Sequence, residues 1–374
     1  MNRPVIETLL SGRPVQRVLL IRPSALGDVF RSVPVLVALR RLFPAARIDW
    51  LVQDSFADAV RAHPDLGGGS DLASGGGVLS FPRRQFGGAT AVGALFRWLK
   101  GLSAQRYDVV VDAQGLFRSG LFARLTGAPV RVGHRDAREG AWLGYSLRVD
   151  SPPRLHSVDK MMRLLGPLGY EVGHEAGDVR PGDMRLYSPA KSREWLALQP
   201  WSSTGSPGYA VLAPGSRWVA KRWPAERFTE VARWLLETGR ASRVVLVGSG
   251  DERAQVGPLL EFAGRENRIV DLLGRTSVGQ LMATIERAAV VVANDSAALH
   301  CAVGFARPLV ALYGPTDVAL VGPYGRFADV LQVIVPGDTL DHKNPGAVVM
   351  MERITTSLVS DRLAAIMPRE RVST

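Results

Sequence analysis

The chain has 374 residues, which at about 100–200 residues per domain predicts two domains. Hydrophobic residues make up 46% of it and charged residues 22%, so it can bury a sizeable core, and wholesale disorder is excluded. The single cysteine, Cys301, excludes an intramolecular disulfide framework and a metal site built from clustered cysteines. A single cysteine is consistent with the reducing environment of the cytoplasm. We expect Cys301 to lie in the core.

The net charge of +11 is unevenly distributed, and arginine supplies 41 of the 46 basic residues. Residues 1–175 carry 23 basic and 15 acidic side chains, a net charge of +8, whereas residues 176–374 carry 23 and 20, a net charge of +3. The first half is therefore expected to face something acidic: a phosphorylated sugar, a membrane surface or a nucleic acid. A genome biased toward arginine codons is the alternative explanation.

Residues 1–15 are predicted to be a loose leader, after which the first half alternates strands and helices. Arg17–Arg22 is short, apolar and β-branched, as expected of a buried strand, and an amphipathic helix follows in which Pro34 is expected to cause a kink. The further strands of this half are predicted at Arg47–Val52, Val109–Val111 and Val130–Val132. Its further helices are predicted at 55–62, 89–102, 119–126 and 156–168.

The chain turns polar and rich in loop-forming residues from about 171 to 207, with one predicted helix at 188–198, and the alternation then restarts. The strands of the second half are predicted at Tyr209–Ala213, Arg243–Val247, Val290–Asn294 and Pro308–Leu312. Its helices are predicted at 225–238, 252–263, 277–288 and 355–366.

This alternation predicts an α/β protein with two Rossmann-like parallel-sheet domains. The predicted parts are a leader at 1–15, a first domain at 16–175, a linker region at 176–207, a second domain at 208–354, and a C-terminal helix and tail at 355–374. Ligands bind at the carboxyl ends of the strands in such sheets, so we expect the site in a cleft between two facing domains. No apolar run approaches the about 18–20 residues of a membrane span, and the N-terminus lacks the layout of a signal peptide, so we expect a soluble, cytoplasmic protein.

Asp28 is the candidate general base of the first half. It follows Gly27 directly after the first predicted strand, so its carboxylate is expected at the carboxyl end of that strand and aimed into the cleft. The alternative is an aspartate in the first turn of a helix, where the helix dipole favours a negative charge.

Two turns of the second half are predicted to meet a nucleotide. Gly248-Ser249-Gly250 permits a close backbone approach, and Glu252 is placed to accept hydrogen bonds from a ribose, although an ordinary strand-to-helix turn explains this pattern equally well. Lys221 and Arg222 are two cations that can neutralise a leaving diphosphate, and the alternative is a solvated basic turn.

The segment from Asp295 to His300 is a third candidate. Ser296 and Ala297 begin a predicted helix whose free N–H groups can hold a diphosphate. Asp295 and Ser296 are also good N-caps, and His300, one helical turn inside, is more often a structural hydrogen bonder than a ligand.

Arginines cluster around the third and fourth predicted strands. Arg118 ends the polar stretch after the third strand, Arg138 follows the fourth, and Arg83 and Arg84 come earlier in the chain. Each alone is typical of plain surface, but the cluster indicates an anion-binding wall.

The sequence lacks the motifs that are typical of several classes of enzyme. There is no Asp-x-Asp sequence, which argues against a diphosphate site bridged by Mg²⁺ or Mn²⁺. Gly-x-Ser-x-Gly, P-loop and His-Glu-x-x-His motifs are also absent.

Five blocks in order make the chain, from about residue 17 to 366, resemble the lipopolysaccharide heptosyltransferase family, glycosyltransferase family 9. The blocks are Ile21-Arg22-Pro23-Ser24-Ala25-Leu26-Gly27-Asp28, Asp112-Ala113-Gln114-Gly115-Leu116-Phe117-Arg118-Ser119, Pro214-Gly215-Ser216 through Lys221-Arg222-Trp223-Pro224, Asn294-Asp295-Ser296 through His300, and Tyr313-Gly314-Pro315-Thr316-Asp317 with Gly322-Pro323-Tyr324-Gly325. The resemblance implies a GT-B fold and an inverting transfer of heptose from ADP-heptose to the Kdo/heptose inner core of lipopolysaccharide, with no metal and no other cofactor.

The resemblance also implies roles for individual residues. Asp28 would be the general base that deprotonates the acceptor hydroxyl, and Glu252 would hold the ribose. Lys221 and Ser216 would hold the donor phosphates, and the sugar and diphosphate would be lined by Asp295, Ser296, Ala297 and His300. Arg138, with Arg83, Arg84 and Arg118, would face the acidic acceptor. Ala297 departs from the family pattern, which has a glycine after the Asp-Ser/Thr pair, and its methyl group narrows the approach to phosphate.

The partners implied are a nucleotide-sugar donor, an acidic lipid-linked glycan acceptor and the cytoplasmic face of the inner membrane, without nucleic acid. Three alternatives remain at this point. They are another GT-B transferase with a different nucleotide sugar or a non-lipopolysaccharide acceptor such as a protein serine, a catalytically silent sugar-nucleotide-binding protein, and a nucleic-acid binder suggested by charge alone. The last predicts interleaved aromatic and basic residues, and no such run is present.

Overall fold

The computed structural model describes residues 9–67, 77–82, 91–171, 181–202 and 207–367. The chain divides into two compact units, unit 1 at Met1–Tyr187 and unit 2 at Ser188–Thr374. Each unit is built on one six-stranded sheet. The predicted leader, linker and tail each fall partly outside the described residues, and these boundaries stay predictions.

The sheet of unit 1 is entirely parallel, in the order β3-β2-β1-β4-β5-β6. Its strands are β1 at Arg17–Ile21, β2 at Arg47–Gln53, β3 at Val78–Phe81, β4 at Val109–Asp112, β5 at Val130–His134 and β6 at Leu147–Val149. Chain order runs outward from β1 to β3 and then restarts at β4 on the other side. The loops after β1 and β4 therefore meet at the point where the strand order reverses, which is where such sheets bind ligands.

The helices of unit 1 cover both faces of this sheet. They are α1 at Leu26–Arg31, α2 at Val33–Leu42, α3 at Ala91–Ala104, α4 at Phe117–Leu125 and α5 at Ser157–Arg163, with 3₁₀ turns at Asp54–Ala59, Ala141–Gly144, Gly166–Leu168 and Pro181–Met184. The connections from β3 through β6 all run in one direction across the sheet. Because such crossovers are right-handed, α3, α4 and the 3₁₀ turn at Ala141–Gly144 cover one face, while α1 and α2 cover the other.

The sheet of unit 2 repeats the same plan, with the order β12-β11-β10-β7-β8-β9 and every pair parallel. Its strands are β7 at Tyr209–Ala213, β8 at Arg243–Leu246, β9 at Ile269–Asp271, β10 at Val290–Asn294, β11 at Leu309–Leu312 and β12 at Val330–Leu331. Here the order reverses between β7 and β10, so the loops after these two strands are adjacent.

Eight helices of unit 2 are described. They are α6 at Ala190–Ala197, α7 at Ala225–Glu237, α8 at Gly257–Ala263, α9 at Val278–Glu286, α10 at Ala297–Gly304, α11 at Val318–Val321, α12 at Val349–Glu352 and α13 at Thr356–Ile366. Four further 3₁₀ turns lie at Val219–Lys221, Gly250–Gln255, Phe327–Asp329 and Pro345–Val348. The core joins Phe228 and Leu235 of α7, the strands, and Val359 and Leu363 of α13, so this last helix packs into unit 2. Cys301 is fully buried, as expected, and burial raises the pKa of its thiol.

The structure confirms the eight predicted strands within a residue or two and adds four edge strands that were missed: β3, β6, β9 and β12. The helix predicted around Pro34 is two helices, because the chain breaks at Ser32 and Pro34 occupies the first turn of α2, where a missing N–H costs nothing. No helix among the described residues is both long and apolar enough to cross a membrane.

Candidate functional site

Asp28 lies in the first turn of α1, directly after β1 and at the point where the strand order of unit 1 reverses. Its carboxylate is held between two arginines, with Oδ2 2.9 Å from the guanidinium of Arg22 and Oδ1 bonded to that of Arg31. Arg31 is anchored in turn by donating to Ser157 Oγ at 3.0 Å. The side chain of Asp28 stays 28% exposed. The predicted base is thus an oriented, accessible anion.

The loop after β4 completes this edge of unit 1. Gln114 and Gly115 donate their backbone N–H groups to Asp112 Oδ1 at 2.9 and 3.1 Å, and the Tyr145 hydroxyl donates to Oδ2 at 2.6 Å. Asp112 is fully buried, and burial raises the pKa of its carboxyl group. Its hydrogen bonds fix the turn, in which Gly115 adopts a φ of +69°. The Ser24 N–H then donates to Gln114 Oε1 at 3.3 Å, which joins the β1 and β4 loops.

Two of the arginines predicted to face the acceptor, Arg118 and Arg138, lie among the described residues. The guanidinium of Arg118 lies 5.6 Å from the centre of the Phe81 ring, beside an apolar cavity between α3 and α4. Arg138 is exposed, and its backbone N–H donates to the Gly115 carbonyl at 3.0 Å. Arg83 and Arg84 lie outside the described residues. The acceptor-binding role of these arginines stays a prediction.

Lys221 and Asp295 form an ion pair at the reversal point of unit 2. Lys221 Nζ, at the end of the loop after β7, lies 2.6 Å from Asp295 Oδ2, directly after β10. The two side chains are only 12% and 10% exposed. Thr316 Oγ1 donates to the same Oδ2 at 3.0 Å. The ammonium group is therefore fixed in a partly desolvated place, and an ammonium has three protons to donate.

Ser216 lies on the same loop and is buried. Its Oγ donates to the Asp295 carbonyl at 3.5 Å, and its backbone N–H donates to Gln255 Oε1 at 3.2 Å. Asn294, the fully buried last residue of β10, holds both ends of this loop. Its Nδ2 donates to the Pro214 carbonyl at 2.6 Å, and its Oδ1 accepts from the Trp223 N–H at 3.3 Å.

Ser296 occupies the N-cap position of α10 but does not use its side chain as a cap. Its Oγ is buried and has no hydrogen-bond partner in the structure. A buried hydroxyl without a protein partner is costly, and this group is placed so that a ligand could supply one; its predicted role in donor binding stays a prediction. Ala297 is the first helical residue, and His300 is buried one turn further along. The free N–H groups of this turn face the same edge as Lys221.

Glu252, which is predicted to bind the ribose, also stabilises the local structure. Its Oε2 accepts from the Ser249 N–H at 2.8 Å, which closes the turn after β8, and burial raises the pKa of its carboxyl group. A methyl group at Gly215 or at Gly248 would overlap this carboxyl group, so both glycines leave room for it. Trp218 packs edge-on against His342 at 5.3 Å.

The structure adds Arg22, Arg31, Thr316 and Asn294 to the residues assigned roles from sequence. Arg22, Asn294 and Thr316 lie inside the five sequence motifs, which were therefore the available signal, whereas Arg31 lies outside them. Among the described residues, no group of three or more His, Cys, Asp and Glu side chains is placed to hold a metal ion.

A family model described as glycosyltransferase family 9 (heptosyltransferase) matches residues 95–343. Lipopolysaccharide heptosyltransferase 1 of Pseudomonas aeruginosa is 31% identical over 314 residues, which are 83% of this chain and 82% of that protein.

Two solved structures are similar over nearly the whole chain. The structure of Escherichia coli ADP-heptose LPS heptosyltransferase II has a TM-score of 0.74 and 23% identity, covering 94% of this chain and 98% of that one. The E. coli heptosyltransferase WaaC with ADP-2-deoxy-2-fluoro heptose has a TM-score of 0.65 and 26% identity, covering 90% and 99%. These similarities confirm the predicted GT-B fold. The chain belongs to glycosyltransferase family 9, the heptosyltransferase family, and is a transferase.

Proposed function

We propose that this protein transfers a heptose from ADP-heptose to the Kdo/heptose inner core of lipopolysaccharide, with inversion and without a metal ion. Family membership supports the transferase class. The printed names of the relatives, a lipopolysaccharide heptosyltransferase and a heptosyltransferase with an ADP-heptose analogue, support the donor and acceptor classes. The acceptor is lipid-linked, so we also propose that the protein works at the cytoplasmic face of the inner membrane.

The observation that carries the proposal is that the two units place opposite chemistry at the same point of the same sheet topology. Unit 1 offers a carboxylate, Asp28, where its strand order reverses. Unit 2 offers an ammonium, Lys221, together with the unpartnered Ser296 hydroxyl and the N–H groups that begin α10. An inverting transfer needs a base for the attacking hydroxyl and positive groups for the departing diphosphate.

In the proposed reaction, Asp28 accepts the proton of the acceptor hydroxyl while that oxygen attacks the anomeric carbon of the heptose. The bond from this carbon to the diphosphate oxygen breaks, and ADP leaves with the electron pair. Lys221 and the α10 N–H groups stabilise the added negative charge. One displacement inverts the configuration, since attack and departure take place on opposite faces of the sugar ring.

Calorimetric titration with ADP, GDP, UDP and NAD, each with Mg²⁺ and with EDTA, tests the donor. We expect ADP to bind best, with the same Kd in Mg²⁺ and EDTA. ADP-heptose and a deacylated Kdo acceptor should then give free ADP and a product of inverted anomeric configuration by NMR. Preference for UDP or GDP would overturn the donor, loss of transfer in EDTA would overturn metal independence, and nucleotide binding without transfer would indicate a silent binding protein.

A further inference from the structure

One face of unit 1 exposes an unusual number of large apolar side chains. This face, called here the α3–α4 face, is formed by α3, α4 and the 3₁₀ turn at Ala141–Gly144. Val92 is 79% exposed, Phe96 68%, Leu143 66% and Phe117 58%. Leu121, at 39%, and Trp142, at 38%, extend the same face. Single exposed apolar residues are ordinary, but several on one layer mark an interaction surface.

The exposed residues follow helical spacing, so they form stripes rather than frayed ends. On α3, Val92, Phe96 and Lys100 recur every four residues, and on α4, Phe117 and Leu121 do the same. The opposite sides of the two helices are anchored in the core of unit 1 through Leu102 and Phe122. Each helix therefore has two apolar sides. One is buried in the core of unit 1, and the other is exposed.

An apolar cavity of about 440 Å³ lies between the two helices. Leu95 and Leu99 line it from α3, Leu121 and Phe122 line it from α4, and Arg118 is the charged residue on its wall. Its volume is in the range of small-molecule pockets, which are about 300–1,000 Å³. Walls that are apolar and carry one cation among their described residues suit a hydrocarbon chain with an anionic group at one end.

The charge of the α3–α4 face indicates which kind of partner binds to it. The segments 91–104, 117–125 and 141–149 contain five basic residues and no aspartate or glutamate, and one carboxylate borders them, that of Glu139, which accepts from the Phe117 N–H at 3.3 Å. The basic residues are Arg97, Lys100, Arg118, Arg124 and Arg148. In a symmetric contact between two copies, a net charge of +4 (five basic side chains less Glu139) would face the same net charge, which disfavours a dimer. Anionic lipid headgroups complement these basic side chains in charge.

We propose that the α3–α4 face docks on an anionic lipid bilayer. Its apolar side chains enter the boundary between headgroups and acyl chains, its cations lie at the lipid phosphates, and the cavity takes one acyl chain. Membrane docking would bring the protein to a lipid-linked acceptor. This proposal therefore rests on the proposed function.

Vesicle flotation tests the proposal with the full-length protein. We expect it to float with vesicles of phosphatidylcholine and phosphatidylglycerol, less so in high salt, and hardly at all with phosphatidylcholine alone. The double variant Val92→Ser/Phe96→Ser and the single variant Leu143→Ser should each lower the vesicle partition coefficient, measured over a range of lipid concentrations, at least about 10-fold. This follows because each variant removes one or two of the apolar side chains that would leave water on docking.

The matched control is Leu198→Ser, which removes an apolar side chain of unit 2 that is 81% exposed. It should float like the unmodified protein. All variants should keep the unmodified rate of transfer to the deacylated, soluble acceptor, while Val92→Ser/Phe96→Ser loses transfer to acceptor embedded in vesicles.

Flotation that the α3–α4 variants leave unchanged would overturn the proposal, as would a dimer by light scattering that only these variants dissociate. Failure of the proposed function is a separate result: no transfer to the soluble acceptor by the unmodified protein, whatever its flotation.

Discussion

Replacing Asp28 with asparagine should abolish most of the activity and spare donor binding. Asparagine keeps the shape of the side chain and one hydrogen-bond acceptor, but it cannot take a proton from the acceptor hydroxyl. A positioned general base contributes about 10²–10⁴-fold to a rate, or about 3–5 kcal/mol of barrier. We expect kcat to fall by that factor and the Kd for ADP to stay within about twofold, since the donor contacts are assigned to unit 2.

The same change should also destabilise unit 1 by a calculable amount. Asp28 is bonded to two guanidinium groups that are only 13% and 11% exposed, those of Arg22 and Arg31. A hydrogen bond to a charged group contributes about 1.5–3 kcal/mol, and asparagine retains one of the two. The free energy of unfolding should therefore drop by about 1.5–3 kcal/mol, too little to account for a rate loss by unfolding.

Asp49→Asn is the matched control. Asp49 lies on β2 in the same unit, and it too is flanked by two arginines, Arg47 at 2.9 Å and Arg17 at 3.6 Å. Those arginines are the first residues of β2 and β1, so they lie at the N-terminal ends of the strands. Asp28 follows the C-terminal end of β1, on the opposite side of the sheet along the strand direction. Asp49→Asn should lose at least as much stability, because Asp49 is more buried and also accepts from the Tyr107 hydroxyl at 2.8 Å. Its kcat should be unchanged.

The assay is release of ADP from ADP-heptose with the soluble acceptor, run beside calorimetric titration of ADP and urea denaturation. An Asp28→Asn protein with kcat within about threefold of the unmodified one would refute the assignment of the base. Equal loss of kcat in Asp49→Asn would show that the rate follows stability and not the missing proton acceptor.

Three further predictions concern other residues. Lys221→Met should lower kcat/KM about 10²–10³-fold and weaken binding of ADP but not of adenosine, and equal weakening for both by calorimetry would contradict a contact with phosphate. Gly215→Ala should weaken ADP binding because the new methyl group displaces the Glu252 carboxyl, whereas Gly257→Ala, with open space around it, should bind ADP normally in the same titration. Burial lowers the pKa of His63 from 6.5 to about 4, so the unfolded state takes up a proton first and stability falls as the pH drops from 6.5 toward 4. In His63→Phe, the stability lost between pH 7 and pH 4 in urea titrations should shrink by about 2–3 kcal/mol, and an unchanged loss would show that the pKa of this histidine is the same in the folded and unfolded protein.

Buried strands were predictable from the sequence because burial on both faces demands continuous apolar runs. Val109–Asp112 and Val290–Asn294 are such runs, and both were located within a residue. The four missed strands lie away from the sheet centres, are two to four residues long and are mostly half-buried, so their composition does not separate them from loops. What identifies them is pairing with a neighbouring strand, and pairing depends on residues far away in the sequence.

The candidate site was predictable in position but not in its contacts. Asp28 and Asp295 each follow a predicted strand directly, and parallel strands bring their carboxyl ends to one edge, so chain position alone pointed to them. The contact between Asp295 and Thr316, in contrast, could not be predicted from the sequence. Thr316 follows β11, 21 residues further along, and its hydroxyl reaches Asp295 only because β10 and β11 pair in one particular register. Arg31 likewise owes its position to Ser157 on a distant helix.

The amide of Asn294 has a consequence for how the proposed donor would bind and for how fast it would bind. It fastens the loop that carries Ser216 and Lys221 at both ends, to Pro214 and to the buried Trp223, through contacts made within the protein. A loop already held in place loses little conformational entropy on binding, so more of the contact energy remains as affinity. Association then needs no slow ordering step and can proceed at the rate set by diffusion and by the electrostatic attraction of a diphosphate to the Lys221 loop.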